Sequence, residues 1–428
     1  MRGAADRFRP NSTRAIPRPV LPPKNVITLL VDTEVFAPNS LGRRCLAVCG
    51  GQVVWMGKEE LRLPGDLVDE RIDLGGRRLI PGLIDCHAHP TGGGGEAGPA
   101  TRVPPLPISQ FTRGGTTTVI GLLGTDDLVH TPGELVATCR GLEAEGLNAW
   151  CWTGGYHVPP ATLTGSVRGD LVHVDRILGV GELALSDHRS SQPTLEQFLH
   201  VAAECHVGGL MSGKAGVLHL HLGDGERGLA MVHAALEGSE LPARIFHPTH
   251  VNRRKALFDE ALELVERGCT IDLTAFPVGP GEDAWSASAA LRRYFDAGLP
   301  ADRVTVSSDG GGCLPEFDAD GRVTRMAVGR PAALGESLAE LLHDGLDLEQ
   351  VLPAYTANPA KLLRLAGKGR IGVGADADLV VLDADGLARD VMVRGRWHLR
   401  GGESCVLGSF ETGASAAAAA RPQRETRQ

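Results

Sequence analysis

From residue 83 onward, short apolar runs recur, each closed by a polar residue and followed by a stretch of helical periodicity. Runs at 83–89, 117–123, 149–156, 176–185, 217–222, 243–250, 270–275 and 304–309 read as strands. Between them, 131–146, 194–205, 228–237, 255–267 and 286–297 place apolar residues at helical spacing. Eight β/α repeats over about 280 residues match the size of a (β/α)8 barrel. A doubly wound open sheet is the architectural rival, but the Gly-x-Gly-x-x-Gly turn it favours does not follow the first strand. The flanks have another texture, with β-type runs at 26–30, 45–49, 52–56 and 78–80 that return at 377–382, 390–394 and 396–399. The pattern predicts an α/β protein. A TIM-like barrel spans 81–364, and a small β-sandwich domain is built from both chain ends, 25–80 and 365–412.

Composition narrows the class. The chain is 42% hydrophobic and 22% charged, as in a soluble globular enzyme, and its net charge of −9 argues against nucleic-acid and anionic-membrane surfaces. No apolar run reaches the roughly 18–20 residues of a membrane span. Nine cysteines without C-x-x-C pairs indicate free thiols and a cytoplasmic setting. Residues 1–24 carry five arginines and five prolines and lack the apolar centre of a secretory signal. A transit sequence remains open there, and a disordered extension is the reading adopted. Residues 413–428 read as a disordered tail.

Candidate chemistry falls at the strand ends. In an extended strand residues i and i+2 share a face, so His87 and His89 project side by side, just before the glycines at 92–95. The fifth run offers His219 and His221, the sixth ends at His250, and the eighth ends at Asp309. Each alone has an ordinary explanation as a satisfied core histidine or a capping aspartate. Four strand ends converging on one barrel mouth point instead to a metal site, because active sites of this fold sit at that face. Imidazole and carboxylate ligands without thiolates suit zinc or a similar divalent ion. Cys86 faces away from its neighbouring histidines and reads as core.

These residues carry a resemblance. The run Pro-Gly-Leu-Ile-Asp-Cys-His-Ala-His at 81–89, the segment Gly-Gly-Gly-Gly-Glu-Ala-Gly-Pro at 92–99, and Gly-Leu-Leu-Gly-Thr-Asp at 121–126 stand first. Thr-Gly-Gly-Tyr-His-Val-Pro at 153–159, Ser-Asp-His-Arg at 186–189, Pro-Thr-His-Val-Asn-Arg at 248–253 and Ser-Ser-Asp-Gly at 307–310 follow. The chain resembles the isoaspartyl (β-aspartyl) dipeptidase branch of the metal-dependent amidohydrolase superfamily, from about residue 25 to 412. The metal motif specifies the superfamily; the glycine-rich, Tyr, Arg and Thr segments specify the branch.

The resemblance implies two divalent metal ions, with zinc the expected species. His87, His89 and Asp309 would hold one ion, and His221 and His250 the other. His219 shares the strand face of His221 and stays an alternative. The expected reaction is hydrolysis of β-aspartyl dipeptides by a hydroxide shared between the two ions, with Asp309 shuttling the proton and Tyr156 polarising the scissile carbonyl. Glu96 would take the substrate's α-amine, Arg189 and Arg253 its carboxylates, and Thr125 and the Gly94 N–H would add polar contacts. Cys313 stands where the family has a substrate-contacting serine, and a thiol is the weaker donor. The family forms cytoplasmic homo-oligomers, often octamers.

One position departs. The family's bridging lysine carbamate aligns with Glu182, and no lysine occurs between Lys58 and Lys214. Glutamate offers the same two oxygens and charge, but its carboxylate lies about 3–4 Å closer to the backbone. Glu182 then bridges two ions, or the site holds one. Rival readings are an amidohydrolase acting on a cyclic amide or N-acyl amino acid, of dihydroorotase, hydantoinase or deacylase type, and a non-catalytic barrel used in assembly.

Overall fold

The structure is a computed structural model that describes residues 27–317 and 322–411; the extensions expected at 1–24 and 413–428 lie outside those residues. Eight barrel strands appear in chain order: β1 Leu83–Ala88, β2 Thr116–Gly121, β3 Asn148–Thr153, β4 Ile177–Leu185, β5 Val217–Leu222, β6 Phe246–Thr249, β7 Ile271–Thr274 and β8 Val304–Ser307. Strands β1 to β6 form one parallel sheet in sequence order, and β7 pairs with β8 in parallel. The circle closes at two seams. At one, Asp309 N–H donates to the His87 carbonyl at 3.0 Å and His89 N–H to the Gly310 carbonyl at 2.7 Å, joining the end of β8 to β1. At the other, side chains stand in for a backbone ladder. Thr249 Oγ1 donates to Asp272 at 2.7 Å, and the Asn252 side chain donates to the Thr274 carbonyl at 3.0 Å while accepting its N–H at 2.8 Å.

Strands covered on both faces need apolar or internally satisfied residues throughout, and β1, β2, β4 and β5 are buried along their whole length. Helices obey the boundary chemistry of the sequence. Thr131 caps Pro132–Glu145 by accepting from Glu134 N–H, and Gly146 ends that helix in the left-handed region. Thr194 and Gln197 form a reciprocal capping box at the start of Leu195–Ser212. Two sequence expectations shift. The run at 243–250 opens with a 3₁₀ turn, Ala243–Ile245, whose Ile245 N–H donates to the Pro242 carbonyl. The sixth and eighth strands stop short of His250 and Asp309, because those residues sit at φ 60° and φ 51°, which breaks the ladder and turns the chain at the ligand itself.

Both chain ends build a second sheet of nine strands. Its ladder runs from Glu403–Ser404 through Arg396–Arg400, Ala388–Val393, Leu379–Leu382, Arg78–Pro81, Ile27–Phe36 and Ser40–Cys49 to Gln52–Gly57; Val68–Asp73 pairs alongside Ile27–Phe36. Leu30, Val35, Leu46, Val53, Leu79, Leu379, Val381 and Met392 pack as its core. Arg78–Pro81 lies at the middle of this sheet and leads within two residues into β1, so the β domain anchors the strand that carries the first histidine pair. A hairpin absent from the sequence expectations, Cys313–Phe317 with Val323–Val328, follows the Asp309 turn. Among the described residues no helix is long and apolar enough to cross a membrane.

Candidate active site

All six proposed metal ligands meet at one end of the barrel. Glu182, near the middle of β4, sits at their centre. Its Oε2 lies 3.1 Å from His221 Nδ1 and 3.5 Å from both His87 Nε2 and His250 Nε2; its Oε1 lies 3.5 Å from His89 Nε2. Asp309 Oδ1 faces His87 Nε2 at 3.4 Å and His89 Nε2 at 3.2 Å. Glu182 thus belongs to two donor groups at once, one with His87 and His89 and one with His221 and His250. Gly181 makes room beside it, since a Cβ there would stand 2.8 Å from His219 Cβ.

Three observations fit this cage to divalent cations. Every member is buried, and His87 Nε2 and Asp309 Oδ1 have no hydrogen-bond partner among the described residues. Two carboxylates and four imidazoles supply hard and borderline donors with a charge that a divalent ion offsets. The ionisation equilibria also favour a cation between them. Burial opposes charge on Glu182 and Asp309, yet the surrounding histidines hold both well below the ordinary carboxylate range. Burial likewise opposes charge on His87, but Glu182 and Asp309 push it up to about 9. His250, where burial dominates, falls to about 4.

His219 is not in the cage. Its ring lies behind His87, with Nε2 2.8 Å from His87 Nδ1, and stacks on Trp152 at 5.1 Å between centroids. The choice between His219 and His221 is thereby decided by position. Cys86 is core as expected, its thiol donating to Asp272 at 3.3 Å.

A narrow cleft opens over the cage and is lined by His89, Gly94, Glu96, Thr125, Tyr156, Glu182, Arg189, His221, His250, Arg253, Asp309 and Cys313. Every residue given a ligand, catalytic or substrate-contacting role by the resemblance lines it except His87, which is wholly buried. The glycine run shapes one side. At Gly92, φ is +83° and a Cβ would fall 1.8 Å from the Val103 carbonyl, so only glycine lets the loop pack against that segment.

Glu96 Oε1 accepts from Thr125 and from Arg189 NH1, both at 3.1 Å, while Oε2 is buried with no partner among the described residues. The Arg189 guanidinium also meets Asp187 through Nε at 3.0 Å and NH2 at 2.7 Å and stands 5.3 Å from the Tyr156 ring centre. Arg253 donates to the Leu222 carbonyl at 2.8 Å and reaches Asp224 at 3.2 Å. Both arginines therefore face the cleft already braced by protein groups. Tyr156 Oη lies 2.9 Å from His221 Nδ1; burial raises its pKa well above the phenol range, so it keeps its proton. Burial and the neighbouring Glu96 push the Cys313 thiol up to about 12, which leaves it a neutral thiol.

Asp187 was not anticipated. It is buried, and its Oδ2 lies 3.0 Å from His221 Nε2. Its only sequence signal is its place two residues before Arg189 in the Ser-Asp-His-Arg segment.

Comparison with known proteins agrees with this geometry. Residues 78–398 match the amidohydrolase family. A β-aspartyl dipeptidase from Fervidobacterium islandicum AW-1, solved with a β-Asp-Leu dipeptide, is 40% identical over 90% of this chain and 100% of its own, with a TM-score of 0.83. An L-hydantoinase from Arthrobacter aurescens shares the fold alone, at 16% identity over 89% of this chain and 98% of its own and a TM-score of 0.60. Among curated proteins, an imidazolonepropionase from Pseudomonas paraeruginosa is 49% identical over 53 residues, 12% of this chain. The chain spans only 13% of the length of that curated relative. The chain belongs to the amidohydrolase family, within its β-aspartyl dipeptidase branch.

Proposed function

We propose that this metal-dependent hydrolase cleaves β-aspartyl dipeptides. One observation carries the reading: Glu96, which lines the same cleft as the ligand cage, holds a buried Oε2 with no hydrogen-bond partner among the described residues. A β-aspartyl dipeptide differs from an ordinary one in presenting a free α-amine and a free α-carboxylate on the aspartyl unit. An unsatisfied anion beside a braced arginine suits that pair, and the most similar structure described above contains such a dipeptide.

His87, His89 and Asp309 would hold one divalent ion, His221 and His250 the other, with Glu182 as the shared ligand. Zinc is the expected species. Bound there, the ions would acidify water and polarise a carbonyl oxygen. The remaining work falls to the chain's own groups. Asp309, its Oδ1 turned to the cage and its carboxylate held ionised, accepts a proton from the attacking water on its other oxygen and passes it to the departing amine. Tyr156, kept protonated, donates to the oxygen that gains charge on attack. Glu96 binds the α-amine, Arg189 and Arg253 bind carboxylates, and Thr125, the Gly94 N–H and Cys313 complete the polar lining.

The same reading divides the chain into a barrel over 81–364 and a β domain from 25–80 and 365–412. All nine cysteines are free thiols, in keeping with a cytoplasmic homo-oligomer of the kind the family forms. The test pairs metal analysis with hydrolysis of β-Asp-Leu and α-Asp-Leu by the wild type and by Glu182→Ala. Metal-dependent β-cleavage, little α-cleavage and a severe loss in the variant are expected. Substantial α-cleavage, or full activity in Glu182→Ala, overturns the proposal.

A further inference from the structure

Behind the cage, five strands contribute to a continuous chain of buried polar groups. His87 Nδ1 lies 2.8 Å from His219 Nε2, and His219 Nδ1 lies 2.9 Å from His247 Nδ1. His247 Nε2 lies 3.0 Å from Thr305 Oγ1, and Thr305 Oγ1 donates to Asp272 Oδ1 at 2.5 Å. Asp272 also receives the hydroxyls of Thr249 and Ser307 on Oδ2 and the Cys86 thiol on Oδ1. Cys86, His247 and Asp272 have the composition of a metal site, but both nitrogens of His247 and both oxygens of Asp272 already have partners.

We infer that His219, His247 and Thr305 form a one-directional hydrogen-bond relay, ending on Asp272, that fixes the tautomer of His87 and aims its Nε2 lone pair at the metal cage. The direction follows from proton counting. A neutral imidazole carries one N–H and one lone pair. Asp272 is an acceptor, so the Thr305 hydroxyl proton points to it and the Thr305 oxygen accepts from His247 Nε2–H. His247 Nδ1 is then an acceptor and takes the His219 Nδ1–H. His219 Nε2 becomes an acceptor in turn and takes the His87 Nδ1–H, so that in a neutral His87 the lone pair falls on Nε2, the atom that faces Glu182 and Asp309. No other arrangement of neutral rings satisfies all four contacts. Histidine ligands ordinarily set their tautomer by donating to a carboxylate or carbonyl directly. Here the carboxylate is displaced across the barrel, and two rings and a hydroxyl carry its influence from β7 back to β1. His219, His247, Thr305 and Asp272 are positioning residues, touching neither substrate nor ion.

The inference rests on His87 being a ligand, and its test reads metal affinity rather than turnover. Zinc is titrated against a competing chelator in the full-length wild type, His219→Leu, His219→Gln and Thr305→Val. The leucine leaves His87 Nδ1–H without an acceptor and is expected to weaken one of the two zinc sites by about 10–100-fold. The glutamine carbonyl reaches the place of His219 Nε2 and is expected to restore most of that affinity. Thr305→Val, nearly isosteric, breaks the relay at its far end and is expected to give an intermediate loss. Equal affinities in the leucine and glutamine variants, or wild-type affinity in His219→Leu, overturn the relay. Should His219→Leu fail to fold, unchanged affinity in Thr305→Val overturns it equally. A wild type that takes up no zinc would instead defeat the metal reading of the cage.

Discussion

Asp187 Oδ2 lies 3.0 Å from His221 Nε2, on the side of the ring away from Glu182, whose Oε2 is 3.1 Å from His221 Nδ1. The carboxylate outside the cage thus takes the Nε2–H and turns Nδ1 inward. Asp187 is in turn held by the Arg189 backbone N–H and by two guanidinium contacts, and His221 together with Arg189 keeps it ionised against its burial. One side chain links the proposed ligand His221 to the arginine expected to grip substrate. Replacement by asparagine keeps the shape and removes the charge. Asp187→Asn is expected to weaken zinc at the His221 site by about 10–100-fold and to raise KM as well. Chelator competition and steady-state kinetics on β-Asp-Leu measure the two effects separately.

Tyr156 lines the cleft, and its ring is packed against His221 at 4.5 Å between centroids. Tyr156→Phe retains that packing and removes the donor. A kcat reduced about 10²–10³-fold with KM little altered is expected, the size of loss seen when one oxyanion donor is removed. A kcat within a few fold of wild type would show that another group stabilises the oxyanion.

Glu96 has one oxygen engaged and one unsatisfied. A hydrogen bond between charged partners contributes about 1.5–3 kcal/mol, so Glu96→Gln should raise KM for β-Asp-Leu by roughly 10–100-fold. The same variant should discriminate less against a substrate analogue lacking the α-amine. If kcat falls and KM does not, Glu96 acts in the chemistry and not in binding.

Away from the site, His398 is fully buried, and neither ring nitrogen has a hydrogen-bond partner among the described residues. Burial, with Arg396 and Arg394 nearby, lowers its pKa to about 3. The unfolded chain binds a proton near pH 6.5 and the folded one does not, so acid favours unfolding. The contribution to stability is complete above pH 6.5 and is lost as pH falls from there toward 3. Between pH 6.5 and 5 the wild type should lose about 1.5 kcal/mol more than His398→Leu. Urea midpoints of the two proteins at both pH values give the difference, and parallel losses would place the histidine in contact with solvent or a partner.

How much of this was legible beforehand follows from the range of each signal. The histidine pair at 87 and 89 is a period-2 pattern within one strand, and the expected ligands each close an apolar run, so the cage could be assembled from local texture and fold geometry. Helix starts at Thr131 and Thr194 were legible for the same reason, since a cap and its partner lie three residues apart. Asp187 and the relay were not. His247, Asp272 and Thr305 look like ordinary strand residues, and their partners stand 28 to 58 positions away in the chain.

The chain alone therefore determined the barrel, the β domain from both ends, and the residue types of the cage, because these depend on periodicity and on short motifs. Only the tertiary structure decided that His221 and not His219 joins the cage. It alone showed that one carboxylate, Glu182, faces both histidine pairs, that Asp187 contacts His221 from outside, and that Asp272 ends the buried polar chain behind His87. Those are choices among side chains that share a face or a composition. The closing of eight strands into a circle makes them, by fixing which nitrogen meets which oxygen.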